Sequence, residues 1–180
     1  MQKTLSQYNQ IVTICRDIFE KKMKDYGSSW RILRPESVTD QIYIKAQRIQ
    51  SIGQKKTQLV GDDIRSEFIG IINYSIIGLI QLEADEGLPV NLEPDLAISL
   101  YNKQFDHVRS LMQAKNHDFG EAWRSMRISS FTDLILMKIY RTKQIEDNLG
   151  QTMVSEGIDA NYMDMINYAI FALIKIDYKE

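Results

Sequence analysis

The sequence predicts an all-α protein: a helical bundle built from two tandem three-helix repeats that pair as an internal pseudo-dimer. Three observations carry this. The phrases KDYGSSWRILR (24–34) and HDFGEAWRSMR (117–127) align at a shift of 93 residues, which pairs Asp25 with Asp118, Gly27 with Gly120, Trp30 with Trp123, Arg31 with Arg124 and Arg34 with Arg127. The register continues through Lys45/Lys138 and Arg48/Arg141, reaches back to Tyr8/Tyr101, and resumes after one inserted residue at Asn73/Asn167 and Tyr74/Tyr168. Such self-similarity marks a duplicated structural unit. Each half also offers three apolar stripes at helical spacing, and neither shows the alternation of a strand.

Within each unit the elements follow in order. The first helix, from about residue 5 to 24, places Tyr8, Ile11, Cys15 and Ile18 three and four residues apart and stops at Gly27, a residue suited to a helix C-terminus. A second helix is expected after Pro35, where Ser37 and Asp40 have capping-box spacing; Ser130 and Asp133 repeat it. The third and most hydrophobic helix is expected over about 62–82, with its counterpart over about 158–176. Gly87, Pro89 and Pro94 mark a linker, which divides the single domain 1–180 into a first unit at 1–84, a linker at 85–97 and a second unit at 98–180. A three-helix unit of that size buries too little surface to be comfortable alone, so pairing two apolar faces is physically sensible.

Composition narrows the function classes. A net charge of −2 gives no basic field for duplex nucleic acid or an anionic membrane. The lone Cys15 excludes an internal disulfide and, with no secretory N-terminus, predicts a cytoplasmic setting. The apolar run 68–82 contains Asn73, Tyr74 and Ser75 and is too short to span a bilayer, so it reads as a buried helix.

Chemistry is expected where cations meet acids. Ile42, Lys45, Ile49 and Ile52 put Lys45 on the apolar stripe of the second helix, and Lys138 does the same beside Ile135. An ammonium held there needs an anion, and Arg48 and Arg141 sit one turn on. Either these cations neutralise carboxylates of the third helix, or, with Arg31, Arg34, Arg124 and Arg127, they grip phosphate. Glu156, Asp164 and Asn167 fall on one face of the last helix with Asp159 to the side, a spacing that suggests a Mg2+ site in the second unit made by Glu156, Asp159 and Asp164. Glu156 and Asp159 have a second reading, as acids favoured at a helix N-terminus. Trp30 and Trp123 read either as platforms for base stacking or as core anchors of the turn.

The order Lys-x2-Asp-(Tyr/Phe)-Gly-x2-Trp, then Lys-x2-Arg, then Glu-x7-Asp-x2-Asn-Tyr resembles the nucleotide modification associated domain family, a domain of unknown function in bacteria and their phages. Residues 22–30 and 115–123 match the first block, Lys45/Arg48 and Lys138/Arg141 the second, and Glu156, Asp164, Asn167 and Tyr168 the third. The first unit keeps Asn73 and Tyr74 of that third block but departs at Asp62 and Gly70. The resemblance implies nucleotide or modified-base metabolism and adds Asn73, Asn167 and Tyr168 to the substrate-binding set. A more distant similarity is to all-α MazG-like nucleoside triphosphate pyrophosphohydrolases, whose Glu-x2-Glu and Glu-x2-Asp pairs are absent here. Two functions stand side by side. In one, Glu156 and Asp164 are the catalytic acids of a Mg2+-dependent pyrophosphohydrolase; in the other, the charges form a buried network in a binding module without turnover. The expected partner is a nucleotide or other phosphorylated small molecule, with no duplex nucleic acid, no membrane, and a homodimer as an option.

Overall fold

A computed structural model describes residues 2–55 and 63–179. Six α-helices and two short 3-10 turns run in the predicted order: α1 (Gln2–Tyr26), a turn (Ser29–Ile32), α2 (Pro35–Lys55) and α3 (Ile64–Glu83), then α4 (Pro94–Phe119), a turn (Ala122–Ser125), α5 (Ile128–Asp147) and α6 (Ile158–Tyr178). No strand occurs among the described residues. Nor is any of their helices long and apolar enough to cross a membrane.

Both first helices end as the repeated glycines predict. Gly27 and Gly120 adopt positive φ of 67° and 60°, and their amides return to Met23 O and Asn116 O at 2.9 and 3.0 Å. The predicted capping boxes do not form. Pro35 and Ile128 are already helical, which puts Ser37 and Ser130 inside the first turn, and the Asp40 carboxylate accepts from Lys143 Nζ at 2.5 Å instead. A side-chain cap is found at α3, where Asp63 Oδ1 accepts from Ser66 N at 2.8 Å. The linker closes sooner than predicted, because Pro94 starts α4 at a position where its missing N–H costs nothing.

The two units interleave around one apolar core. α3 packs on α6 at the centre, α2 and α5 flank them and touch each other, and α1 and α4 each contact both central helices. Gly78 permits the central crossing: a Cβ there would lie 2.8 Å from the ring of Tyr162, which is fully buried on α6. A polar buckle fastens the units twice. Tyr8 Oη donates to Asn167 Oδ1 at 2.9 Å, and Tyr101 Oη donates to Asn73 Oδ1 at 2.7 Å. Each amide nitrogen donates back to a first-helix carbonyl, Asn73 to Cys15 O at 3.1 Å and Asn167 to Val108 O at 3.4 Å. Burial raises the Tyr8 and Tyr101 hydroxyls far above their usual range, so both stay neutral donors. The Cys15 thiol beside this buckle is pushed up to about 12 by burial and remains unreactive.

A second inter-unit contact joins α2 to α5 and α6. Thr39 Oγ1 donates to Glu146 Oε1 at 2.6 Å and shares a 2.7 Å hydrogen bond with Tyr162 Oη. Burial, with Glu36 and Asp40 nearby, raises the Glu146 carboxyl, while Thr39 opposes the shift. A carboxyl with a raised folded-state pKa adds stability below the ordinary carboxylate value, and that contribution is lost as pH rises through the folded value. Glu146→Gln is therefore expected to raise the melting temperature at pH 7 and to give little gain at pH 4. Thermal melts at the two pH values check this, and equal gains at both would contradict it.

Candidate functional site

The site is built from three helices of each unit. In the second unit, α5 carries Lys138 on its buried stripe, α6 brings Asp164 opposite it, and α4 adds Lys115 from its last third. Lys138 Nζ lies 2.8 Å from Asp164 Oδ2, and Lys115 Nζ 2.5 Å from Oδ1. Lys138 and Asp164 are only 7% and 5% exposed, so this is a buried ion pair, and the predicted inward direction of Lys138 is what the structure contains. Each carboxylate oxygen has its own ammonium.

The first unit places the same cations around a carboxylate one turn away. Gly70 stands where Asp164 would be, and the acid is Glu67, whose equivalent in the second unit is the neutral Asn161. Lys45 Nζ approaches Glu67 Oε2 at 3.6 Å, and Arg48 donates to Oε1. The stem of Lys45 occupies the room left by Gly70, since a Cβ there would fall 2.6 Å from its Cδ and Cε. Each unit thus repeats two lysines and an arginine and pairs two of the three with one acid, and the shift of that acid changes which cation is left out. Among the described residues, Lys22 makes no ion pair in the first unit and Arg141 makes none in the second, although their counterparts Lys115 and Arg48 do.

Cavities lie beside both of these cations. In the first unit a cavity of about 410 Å³ is walled by Phe19, Tyr26, Trp30, Tyr74 and Ile77, with Lys22, Lys45 and Glu67 at its polar side. The Lys45 ammonium lies 5.7 Å from the centroid of the Tyr74 ring. The equivalent of Ile77 is Phe171, whose ring stacks on Trp123 at 4.3 Å and 5° between planes. In the second unit the larger Asp164 and Phe171 stand at the positions of Gly70 and Ile77. Its cavity, about 420 Å³, instead lies between α5 and residues 151–156, where Lys138, Arg141, Gln144, Glu156 and Asn161 line it.

Several predicted site residues have other duties. The amides of Asn73 and Asn167 are engaged in the inter-unit buckle, and Asn73 also borders the first-unit cavity. Arg31 holds the linker through Leu88 O at 2.8 Å, Pro89 O at 3.3 Å and Gln81. Arg124 reaches Thr4 Oγ1 at 2.6 Å and Gln7 Oε1 at 2.9 Å on α1, with its guanidinium 4.4 Å from the centroid of Trp123. With Phe171 stacked on it as well, Trp123 has no free face for a base; it anchors its turn. Trp30 is buried too but borders the first cavity. Arg34 and Arg127 are exposed and, among the described residues, form no ion pair. Tyr168 is half-buried near Asp164, and burial first and then Asp164 raise its hydroxyl.

The predicted Mg2+ set does not assemble. Gly157 caps α6 with extended backbone, so Glu156 precedes the helix and the spacing of four no longer aligns it with Asp164. Glu156 and Asp159 are exposed while Asp164 is buried between two ammoniums. Among the described residues no three His, Cys, Asp or Glu side chains are grouped to hold a metal ion. Asp62, one point at which the first unit departs from the motif, lies outside the described residues. Conversely, Lys22, Lys115 and Glu67 are central to the site although periodicity did not single them out. The signal was present, since Lys22 and Lys115 open the repeated first block.

Comparison with known proteins follows the duplication. A family model described as nucleotide modification associated domain 1 matches twice, over residues 22–82 and 115–176, each match opening on one of these lysines. No curated protein and no solved structure matches.

Proposed function

The chain belongs to the nucleotide modification associated domain 1 family, and on that premise we propose that it binds a nucleotide in the cavity of its first unit, without turning it over. The observation that carries this reading is the junction of an aromatic-walled cavity with Lys22, which makes no ion pair among the described residues. Phe19, Tyr26 and Tyr74 offer apolar ring surface to a planar base, and a volume of about 410 Å³ is ample for a small ligand. Lys22 supplies the point charge for a phosphate, with Lys45 beside it. Glu67 holds Lys45 and Arg48 in place, so the cationic wall is formed before the ligand arrives.

Binding without turnover is favoured over Mg2+-dependent hydrolysis by the side chains present. The acids of the second unit are dispersed, and Asp164 is neutralised by Lys115 and Lys138. Calorimetric titration with the nucleoside 5′-monophosphates and the matching nucleosides tests the reading. At least one monophosphate is expected to bind about tenfold or more tightly than its nucleoside, the worth of a charge-assisted contact. Equal affinities would overturn it. Release of phosphate or pyrophosphate from nucleoside triphosphates and Mg2+, lost on Asp164→Ala, would reinstate the hydrolase.

A further inference from the structure

We infer that the second unit carries a separate oxyanion site, centred on Arg141 and selective for phosphate or pyrophosphate over nucleotides. It is independent of the nucleotide reading, because it uses other residues, another cavity and the opposite arrangement of charge.

The displaced carboxylate changes the surroundings of the repeated arginine. Arg141 follows Lys138 by three residues on α5, as Arg48 follows Lys45 on α2. Glu67 satisfies Arg48, but Asn161 replaces it in the second unit, and Asn161 directs its own Nδ2 to Gly157 O at 2.8 Å. Asp164 does not serve instead: its oxygens pair with Lys115 and Lys138, and among the described residues it makes no ion pair with Arg141. Arg141 is thus an exposed guanidinium at the mouth of a cavity of about 420 Å³, bordered by Lys138, Gln144 and Asn161. No aromatic residue lines that cavity, so it offers no surface on which a base could stack.

Its far wall is a shaped loop. Asn148 Nδ2 donates to Gln151 O at 2.9 Å and Thr152 Oγ1 to Ser155 O at 2.7 Å, which fixes residues 148–155 across from α5. The planar fork of arginine presents paired N–H groups that match two oxygens of a tetrahedral anion, and Lys138 lends charge from behind. One residue opposes binding: Glu156 is exposed on the same wall and repels a second anion. That opposition makes the site testable in both directions.

Titrations of the full chain with inorganic phosphate and with pyrophosphate, followed by calorimetry in a Lys22→Met background, test it free of the first unit's cation. Arg141 and Glu156 are exposed, so their variants should keep the parent's circular dichroism. Arg141→Met should weaken pyrophosphate binding about tenfold or more, as expected for loss of a bidentate charged contact, and Glu156→Gln should strengthen it. In two-dimensional NMR the Arg141 Nε–H signal should shift with added phosphate. No detectable uptake of either anion, or affinity unchanged in Arg141→Met, would overturn the site while leaving the first-unit nucleotide reading untouched.

Discussion

Asp164→Ala is expected to remove about 3–5 kcal/mol of folding stability, the usual loss when one partner of a buried ion pair is deleted. The reason lies in Lys138, only 7% exposed, whose largely buried ammonium would lose the carboxylate that pairs with it at 2.8 Å. Lys115 behaves differently, since its side chain is 41% exposed and can turn outward. Asp164→Asn should lose nearly as much, because an amide keeps the volume but not the charge. Glu67→Ala should lose less, because Lys45 and Arg48 retain 26% and 24% of their side-chain surface. Urea unfolding of the three variants and the parent chain measures the series. Parent-like stability in Asp164→Ala would show that the ammonium does not depend on this acid.

The second large effect belongs to the buckle. Asn167→Ala deletes the acceptor of Tyr8 Oη and the donor to Val108 O together, in a place where both partners are buried. With about 1–3 kcal/mol for each of the two polar groups left unsatisfied, the loss should be about 2–6 kcal/mol. Tyr8→Phe alone orphans part of the amide, but combined with Asn167→Ala it removes a hydroxyl that no longer has a partner. The double variant should therefore lose less than the sum of the singles, a coupling read from the double-mutant cycle. Strict additivity would mean that the 2.9 Å contact contributes little. The pseudo-symmetric pair Asn73 and Tyr101 should show coupling of the same sign.

These two clusters also explain what the sequence could and could not disclose. Helix count, order and pairing were legible because apolar spacing and repetition both report burial, which dominates helix packing. The inward lysine was legible for the same reason: Lys45 and Lys138 interrupt apolar stripes. The partner of each was only half legible. Asp164 stands two turns inside α6 and had to meet something, whereas Glu67 looked like an ordinary first-turn acid on α3. Glu156 failed because the spacing presumed a helix that Gly157 begins too late to include it. Asn73 and Asn167 recur like ligands, yet their repetition reflects the duplicated packing itself, each joining the two units in the same way. Arg31 and Arg124 recur too but take different packing duties, one on the linker and one on α1, and a motif alone does not separate such duties from binding.

One asymmetry separates the two units: moving an acid by a single helical turn leaves Lys22, among the described residues, without an ion pair at an aromatic-walled cavity, while its counterpart Lys115 pairs with Asp164. The most direct measurement compares the affinities of Lys22→Met and Lys115→Met for the best-bound nucleoside monophosphate, by calorimetry on folded protein at one salt concentration. Lys22→Met should bind about tenfold or more weakly than the parent, and Lys115→Met should bind as the parent does. Parent-like affinity in Lys22→Met, or an equal loss in both variants, would contradict it.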